Sequence, residues 1–159
     1  MSFMTSSEMA GTSVEVLDGG TRQTAADLMI WSDKYSVGVA AMDLEHHELF
    51  DGINHLHAAV ASHEEREAIG PLLKAVADGT RAHFVSEEAL MTEAKYSGVA
   101  LHALKHQRLT EQVEAFQARF DRGFNLTEHS LIFLRDWFIP HILEADLNFS
   151  LWYSERRKY

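Results

Sequence analysis

Residues 83–106 read HFVSEEALMTEAKYSGVALHALKH, and this stretch decides the fold. His83 and Glu87 stand four residues apart, and His102 and His106 repeat that spacing further on. Four residues advance about 400° around an α-helix, so each pair projects from one face of a helix, one turn apart. The stretch therefore predicts two helices that each present a pair of polar, chemically active side chains.

The helical period continues on both sides of this stretch, with only two prolines and no convincing alternation of polar and apolar residues. The predicted helices span residues 43–62, 65–95, 99–121 and 128–146. Four long amphipathic helices with short connections predict an all-α fold, an up-down-up-down four-helix bundle.

Several residues mark the expected ends and irregularities of these helices. Asp43 is the expected N-cap of the first helix, and Gly70-Pro71 is an expected irregularity near the start of the second. Gly123 follows the third helix as its C-terminal cap region. Asn125 or Thr127 is expected to cap the fourth.

The chain of 159 residues fits a single domain. Residues 1–28 are rich in Ser, Thr, Gly and Ala, and we expect them to form a mobile tail. Residues 29–155 are expected to form the bundle. Within them, the aromatic residues and valines of residues 31–39 predict an ordered N-terminal arm that lies against the body.

Composition excludes several classes of function. The chain has no cysteine, so disulfides, thiolate metal sites and cysteine nucleophiles are excluded. The formal net charge of -10 makes nucleic acid and anionic membranes unfavourable partners. No apolar run approaches the roughly 18–20 residues of a membrane span, and no signal peptide is visible, so a cytoplasmic location is expected.

Polar side chains interrupt the apolar stripes of all four predicted helices. The six are His46, His83, Glu87, His102, His106 and His141. One inward-facing histidine alone is more often a hydrogen-bonded core residue than a ligand. Here, however, the positions alternate between the start and the end of successive helices, so in an antiparallel bundle they meet at one end. Burying these groups without partners would cost several kcal/mol each, and a shared metal centre removes that cost.

The pattern resembles the hemerythrin family, and within it the bacterial hemerythrins, from about Trp31 to Tyr153. The motifs that carry the resemblance are WSDKYSVGV at 31–39, DLEHHELF at 43–50, HFVSEEALM at 83–91, HALKH at 102–106 and WFIPHILEAD at 137–146. These segments have the order and spacing of that family's metal ligands.

The resemblance implies a non-haem di-iron centre with a seven-residue ligand set: His46, His83, Glu87, His102, His106, His141 and Asp146. One iron would have three histidines, at 102, 106 and 141, and the other would have two, at 46 and 83. Glu87 and Asp146 would bridge the irons together with a solvent-derived oxo or hydroxo group. The two-histidine iron then keeps one open position, where the family binds O2.

Two features of the last helix strain this assignment. His141 and Asp146 are five residues apart, which separates them by about 140° on an ideal α-helix. The helix is therefore expected to unwind or bend at its end. Pro140 directly precedes His141, and it removes a backbone donor and is expected to kink the helix.

The remaining histidines are not expected to be ligands. His57 shares the inner stripe of the first helix, but it lies roughly 16 Å beyond His46 at about 1.5 Å per residue. Four others are expected to be solvated: His47, His55, His63 and His129. Glu88 follows Glu87, but it should point about 100° away from it, towards solvent.

Three functions remain open on the sequence. The first is reversible O2 binding for storage, delivery or sensing, without enzymatic turnover. The second is a di-iron oxidase, a peroxidase or a nitric oxide-processing enzyme. The third is a sensing module that acts through a separate protein partner, whose identity the sequence leaves unknown. A histidine-rich ligand set without a spare acid or base favours binding over catalysis.

Overall fold

The computed structural model describes residues 26–157, so most of the expected tail at 1–28 lies outside the described residues. All regular structure within residues 26–157 is helical. After a short 3₁₀ turn, the elements are α1 (Ala40–Ala61), α2 (Arg66–Glu93), α3 (Val99–Asp121), α4 (Glu128–His141), a π-helical segment (Ile142–Asp146) and α5 (Leu147–Arg156).

The helices form the expected antiparallel four-helix bundle. Each of the four long helices packs on its neighbours in the chain, and α1 also packs on α4, which closes the ring. Fully buried leucines such as Leu56, Leu73 and Leu131 fill its centre. Each contributes roughly 1.5–3 kcal/mol relative to an exposed position. Among these helices none has both the length and the apolar character needed to cross a membrane.

The first helix begins one turn earlier than expected, at Ala40, so the prediction of Asp43 as its N-cap was wrong. The carboxylate of Asp43 instead accepts hydrogen bonds from the Ser36 hydroxyl at 2.7 Å, the Val37 N–H at 2.7 Å and the Gly38 N–H at 3.2 Å. Gly38 has φ +79, a left-handed conformation that suits glycine. Asp43 therefore ties the turn that precedes the helix to its first turn.

The N-terminal arm lies along α1, as expected. The Met29 N–H donates to Asn54 Oδ1 at 2.9 Å, and Asn54 Nδ2 donates back to the Met29 carbonyl at 2.7 Å. Further along, the rings of Trp31 and Tyr35 pack on Phe50, with centroids 5.3 and 5.2 Å away. The arm thus supports the outer side of Phe50, one turn beyond His46.

The second helix is continuous through Pro71, so the expected irregularity at Gly70-Pro71 was wrong. Proline removes one i→i−4 hydrogen bond, here the bond to the carbonyl of Glu67. Both Pro71 and Glu67 are exposed, so the bond is lost on the solvent side of the helix. The loss therefore does not open the helix on its buried face.

The end of α3 and the start of α4 agree with the sequence prediction. Helix α3 ends at Asp121, and Gly123 follows it with φ +95. Thr127, one of the two expected caps, precedes α4 and accepts a hydrogen bond from the Ser130 N–H at 3.3 Å.

The fourth bundle helix does not end at residue 146 as expected. It passes through Pro140, widens into the π-helical segment and continues as α5 to Arg156. The continuation is stabilised by aromatic packing, because Tyr96 lies 5.2 Å from Phe149 and 4.9 Å from Trp152 between ring centroids. The predicted unwinding at the end of this helix therefore takes the form of a single wide turn inside a longer helix.

Replacing Asp43 with alanine should lower the free energy of unfolding by about 2 kcal/mol, because hydrogen bonds to a charged acceptor contribute roughly 1.5–3 kcal/mol. Urea unfolding followed by circular dichroism measures the change. Asp51→Ala, an exposed carboxylate on the same helix, is the control and should have little effect. Equal stability of the two variants would contradict the structural role of Asp43.

Candidate metal centre

The structure brings all seven residues of the expected ligand set together at one end of the bundle. Each of the four long helices contributes, and the π-helical segment contributes Asp146. Every member is nearly or fully buried. The side chains fall into two groups: a five-residue group of Glu87, His102, His106, His141 and Asp146, and a three-residue group of His46, His83 and Asp146.

Asp146 belongs to both groups and turns one oxygen to each. Its Oδ1 lies 2.9 Å from His141 Nε2 and 3.1 Å from His102 Nε2. Its Oδ2 lies 3.2 Å from His46 Nε2. A carboxylate held in this way can bridge two cations.

Glu87 also lies near both groups. Its Oε2 is 3.0 Å from His106 Nε2 and 3.3 Å from His102 Nε2, and 3.9 Å from His83 Nε2 in the other group. The second oxygen, Oε1, is buried without a hydrogen-bond partner. Glu87 therefore has one carboxylate oxygen that is not occupied by a hydrogen bond and could bind a metal ion.

The π-helical segment explains how His141 and Asp146 meet. On an α-helix, residues five apart point about 140° away from each other. A π-helix makes i→i+5 hydrogen bonds and so brings residues five apart much closer to one face. The 2.9 Å contact between His141 Nε2 and Asp146 Oδ1 depends on this local widening. A π-turn inside an α-helix is frequently found at a functional site.

The cluster contains buried polar atoms whose hydrogen-bonding capacity is unused. Among them are the Nε2 atoms of His46 and His83 and both carboxylate oxygens of Asp146. Some of these atoms approach one another closely without hydrogen-bond geometry, as do His46 Nε2 and Asp146 Oδ2 at 3.2 Å. An unpaired buried polar group costs about 1–3 kcal/mol, so this arrangement fits donor atoms that converge on bound cations.

The donor set narrows the choice of cation. Imidazoles and carboxylates without thiolates suit iron, zinc, copper or manganese, and exclude iron–sulfur clusters. Of the described residues only these seven form groups of three or more donors with this spacing. The cluster fits a metal site.

Two further carboxylates orient the histidines from outside the cluster. Glu45 Oε2 accepts from His83 Nδ1 at 2.8 Å, and Glu88 Oε1 accepts from His106 Nδ1 at 2.8 Å. Each bond fixes the tautomer that leaves Nε2 free for a metal and makes the imidazole more basic. The expectation that Glu88 points to solvent was therefore wrong. Both bonds cross between helices, so spacing along the sequence gave no signal for them.

Electrostatics within the cluster favour ionised carboxylates. Burial opposes the charge of Asp146, but its close contacts with the imidazoles of His102, His141 and His46 outweigh burial and hold the pKa of Asp146 well below its usual value. Burial likewise opposes the charge of Glu87, and its close contacts with the imidazoles of His102 and His106 lower its pKa. Both carboxylates are thus charged at neutral pH, as ligation requires.

The pKa values of two clustered histidines, His102 and His83, shift in opposite directions. Burial disfavours protonation of His102, but its close contacts with the carboxylates of Asp146 and Glu87 outweigh burial and raise the pKa of His102 to about 9. Burial, reinforced by nearby His46, lowers the pKa of His83. A metal ion bound by His102 would therefore have to displace a proton at neutral pH, whereas the lowered pKa of His83 favours its neutral form. Acid then competes with the metal for the imidazoles.

The histidines outside the seven-residue ligand set do not join the cluster. His57 is buried eleven residues beyond His46 on α1, and its Nε2 lies 3.4 Å from Glu128 Oε2. Exposed His47 stacks on Trp31 with centroids 3.7 Å apart, so it is a packing residue as well as a solvated one. The exposure of His55, His63 and His129 agrees with the sequence.

An antiparallel bundle with a buried histidine–carboxylate cluster defines a metal-binding four-helix protein. A family model described as the hemerythrin HHE cation binding domain matches residues 37–150. The chain belongs to the hemerythrin family, which confirms the family indicated by its sequence motifs.

Individual relatives agree with this assignment. The chain is 33% identical over 119 residues to a bacteriohemerythrin of Stenotrophomonas maltophilia, covering 75% of this chain and 77% of that one. It is 28% identical over 120 residues to myohemerythrin-1 of Phascolopsis gouldii, covering 76% and 90%. A solved structure of wild-type hemerythrin aligns with a TM-score of 0.74 at 31% identity, covering 77% of this chain and 95% of that one.

Replacing Glu88 with alanine should weaken metal affinity about 10–100-fold, because His106 loses the acceptor that fixes its orientation and tautomer. Competition with a chelator for iron(II) measures the affinity. Glu93→Ala, which removes an exposed carboxylate from the same helix, is the matched control. An affinity equal to that of the control would show that the bond from His106 to Glu88 does not support the site.

Proposed function

We propose that this chain is a non-haem di-iron protein that binds O2 reversibly at one of its two irons. The observation that carries the proposal is the unequal division of the cluster, with five donor residues on one side and three on the other. Histidines 102, 106 and 141 would hold one iron and histidines 46 and 83 the other. Glu87 and Asp146 would bridge them.

Counting donors supports one open position. His102, His106 and His141, together with the shared carboxylates and a solvent-derived oxygen, would supply six donors to one iron. His46 and His83 with the same shared donors would supply five to the other iron, which would leave it one ligand short. Two ferrous ions would supply the electrons and the vacant position that O2 requires. The protein would supply the ligands and the apolar environment around that position.

An apolar cavity lies next to the cluster in the bundle core. Its volume is about 10 Å³, close to the minimum that accommodates one water-sized molecule. Its lining includes one residue from each helix that lies three positions, about one turn, from a member of the cluster: Leu49, Thr80, Leu109 and Phe138. The cavity is thus in the layer directly below the metal centre, where a diatomic ligand would approach.

Aromatic rings lie beside the centre and would keep water and protons away from it. The ring of Phe84 stacks on His106 with centroids 3.8 Å apart, and the ring of Phe138 meets His46 edge-on at 6.1 Å. The one hydroxyl that lines the cavity, on Thr80, donates to the Val76 carbonyl at 2.8 Å and so presents no free proton. An uncommitted acid or base is thus missing from this lining, which favours binding over turnover.

Iron content tests the ligand set. The purified protein should contain about two irons per chain, and Glu87→Ala should lose most of them, because both ions lose a ligand at once. Metal analysis by mass spectrometry measures the ratio, with Glu93→Ala as the control. If the Glu87 variant retained two irons, Glu87 would not be a bridge.

Reversibility tests the function. The reduced protein should take up about one O2 per chain in an anaerobic optical titration and release it under argon, as one open position implies. Continuous consumption of O2 with a reductant would instead favour an oxidase. Selective, rapid turnover of nitric oxide or peroxide would favour the corresponding enzyme.

The apolar side chains beside the centre, such as Phe138, should control the lifetime of the O2-bound protein. Phe138→Gln should accelerate conversion to the ferric protein without abolishing iron binding, because a polar side chain admits water beside the centre. Phe138→Leu keeps the wall apolar and is the control. Stopped-flow mixing with O2 follows both variants, and equal oxidation rates would contradict the protective role of the wall.

A further inference from the structure

A surface groove runs between α1 and α2 beside the three-residue group. Its volume is about 340 Å³. Buried Leu49, Val76 and His83 lie on its floor, and the exposed Ala75 and Ala82 lie on its rim. Since His83 belongs to the three-residue group, the groove is on the side of the centre that has the proposed open position.

The floor of this groove is also a wall of the core cavity. Leu49 and Val76 line both spaces, and among residues 26–157 they alone do so. Two aliphatic side chains are therefore all that the groove and the cavity have in common. Movement of these two side chains would join the outside of the bundle to the layer below the metal centre.

Two glycines give these side chains room to move. A Cβ atom on Gly79 would lie 3.4 Å from Leu49 Cδ2, and one on Gly52 would lie 3.6 Å from Val76 Cγ2. Both distances are van der Waals contacts, so a methyl group at either position would support the side chain opposite. Glycine inside a helix is less stable than alanine. A glycine opposite Leu49 and another opposite Val76 therefore favour mobility of these side chains over stability of the helices.

We propose that O2 reaches the centre through this groove, and that Leu49 and Val76 form a gate whose movement Gly52 and Gly79 permit. The proposal rests on the proposed O2-binding function. An apolar gate suits a small uncharged molecule. Glu45 and Glu48, which also line the groove, disfavour anions.

The double variant Gly52→Ala, Gly79→Ala tests the gate. A gate determines the free-energy barrier to O2 passage but changes neither the O2-free nor the O2-bound protein. A stiffer gate in this variant should therefore slow O2 association and dissociation severalfold and leave the equilibrium affinity unchanged. Stopped-flow mixing and the optical titration measure these quantities. Gly70→Ala is the matched control on α2, because its Cβ would face Phe120 at 3.3 Å and not the gate. Rates equal to those of the control, with iron content intact, would overturn the proposal.

A structural test does not depend on O2 chemistry. Leu49→Ala should merge the groove with the core cavity, and crystals of this variant under xenon pressure should show xenon in the merged space, since enlarged apolar cavities bind it. Leu49→Val makes the smaller deletion if the alanine variant does not fold. Xenon bound only elsewhere would overturn the route. If the wild-type protein fails to bind O2 reversibly, the proposed function fails, and the xenon result still decides the route.

Discussion

Five imidazoles and two carboxylates share one end of a bundle whose interior is otherwise mostly apolar, and the rest of the structure depends on how their charges and lone pairs are satisfied. Their nitrogens and oxygens lie within 4.8 Å of one another inside each group. Several of them have no hydrogen-bond partner although they are fully buried. Such a cluster is unfavourable on its own, and bound cations would convert it into a cross-link between all four long helices.

The same constraint explains the local departures from regular structure. Asp146 can reach the cluster only because the fourth bundle helix widens for one turn, at Ile142–Asp146. The aromatic contacts of α5 with Tyr96 hold the helix on the far side of that turn. The N-terminal arm packs against Phe50, which in turn lies 6.3 Å from Phe138 between ring centroids. The wall next to His46 is thus supported from outside.

Electrostatic control of the centre extends beyond the residues that face it. Glu45 and Glu88 are partly exposed, and each holds one histidine by its outer nitrogen. They place negative charge beside histidines that would have to stay neutral and well oriented in order to bind a metal ion. The layer below the centre has the opposite character, because it is lined by aliphatic and aromatic side chains. This contrast between a charged outer ring and an apolar inner layer favours binding of a small uncharged ligand.

The sequence by itself determined the helical class, the antiparallel order and six of the seven clustered residues, because these follow from the 3.6-residue period and from polar side chains on apolar faces. Asp146 was indicated only by the resemblance to the hemerythrin family. Only the tertiary structure decided the contacts that join different helices. The bonds from His83 to Glu45 and from His106 to Glu88 span 38 and 18 positions, and no local spacing encodes them. The same holds for Asp43, whose carboxylate binds a turn that precedes the helix. It holds also for the π-turn, since only the cluster determines which face Asp146 must occupy.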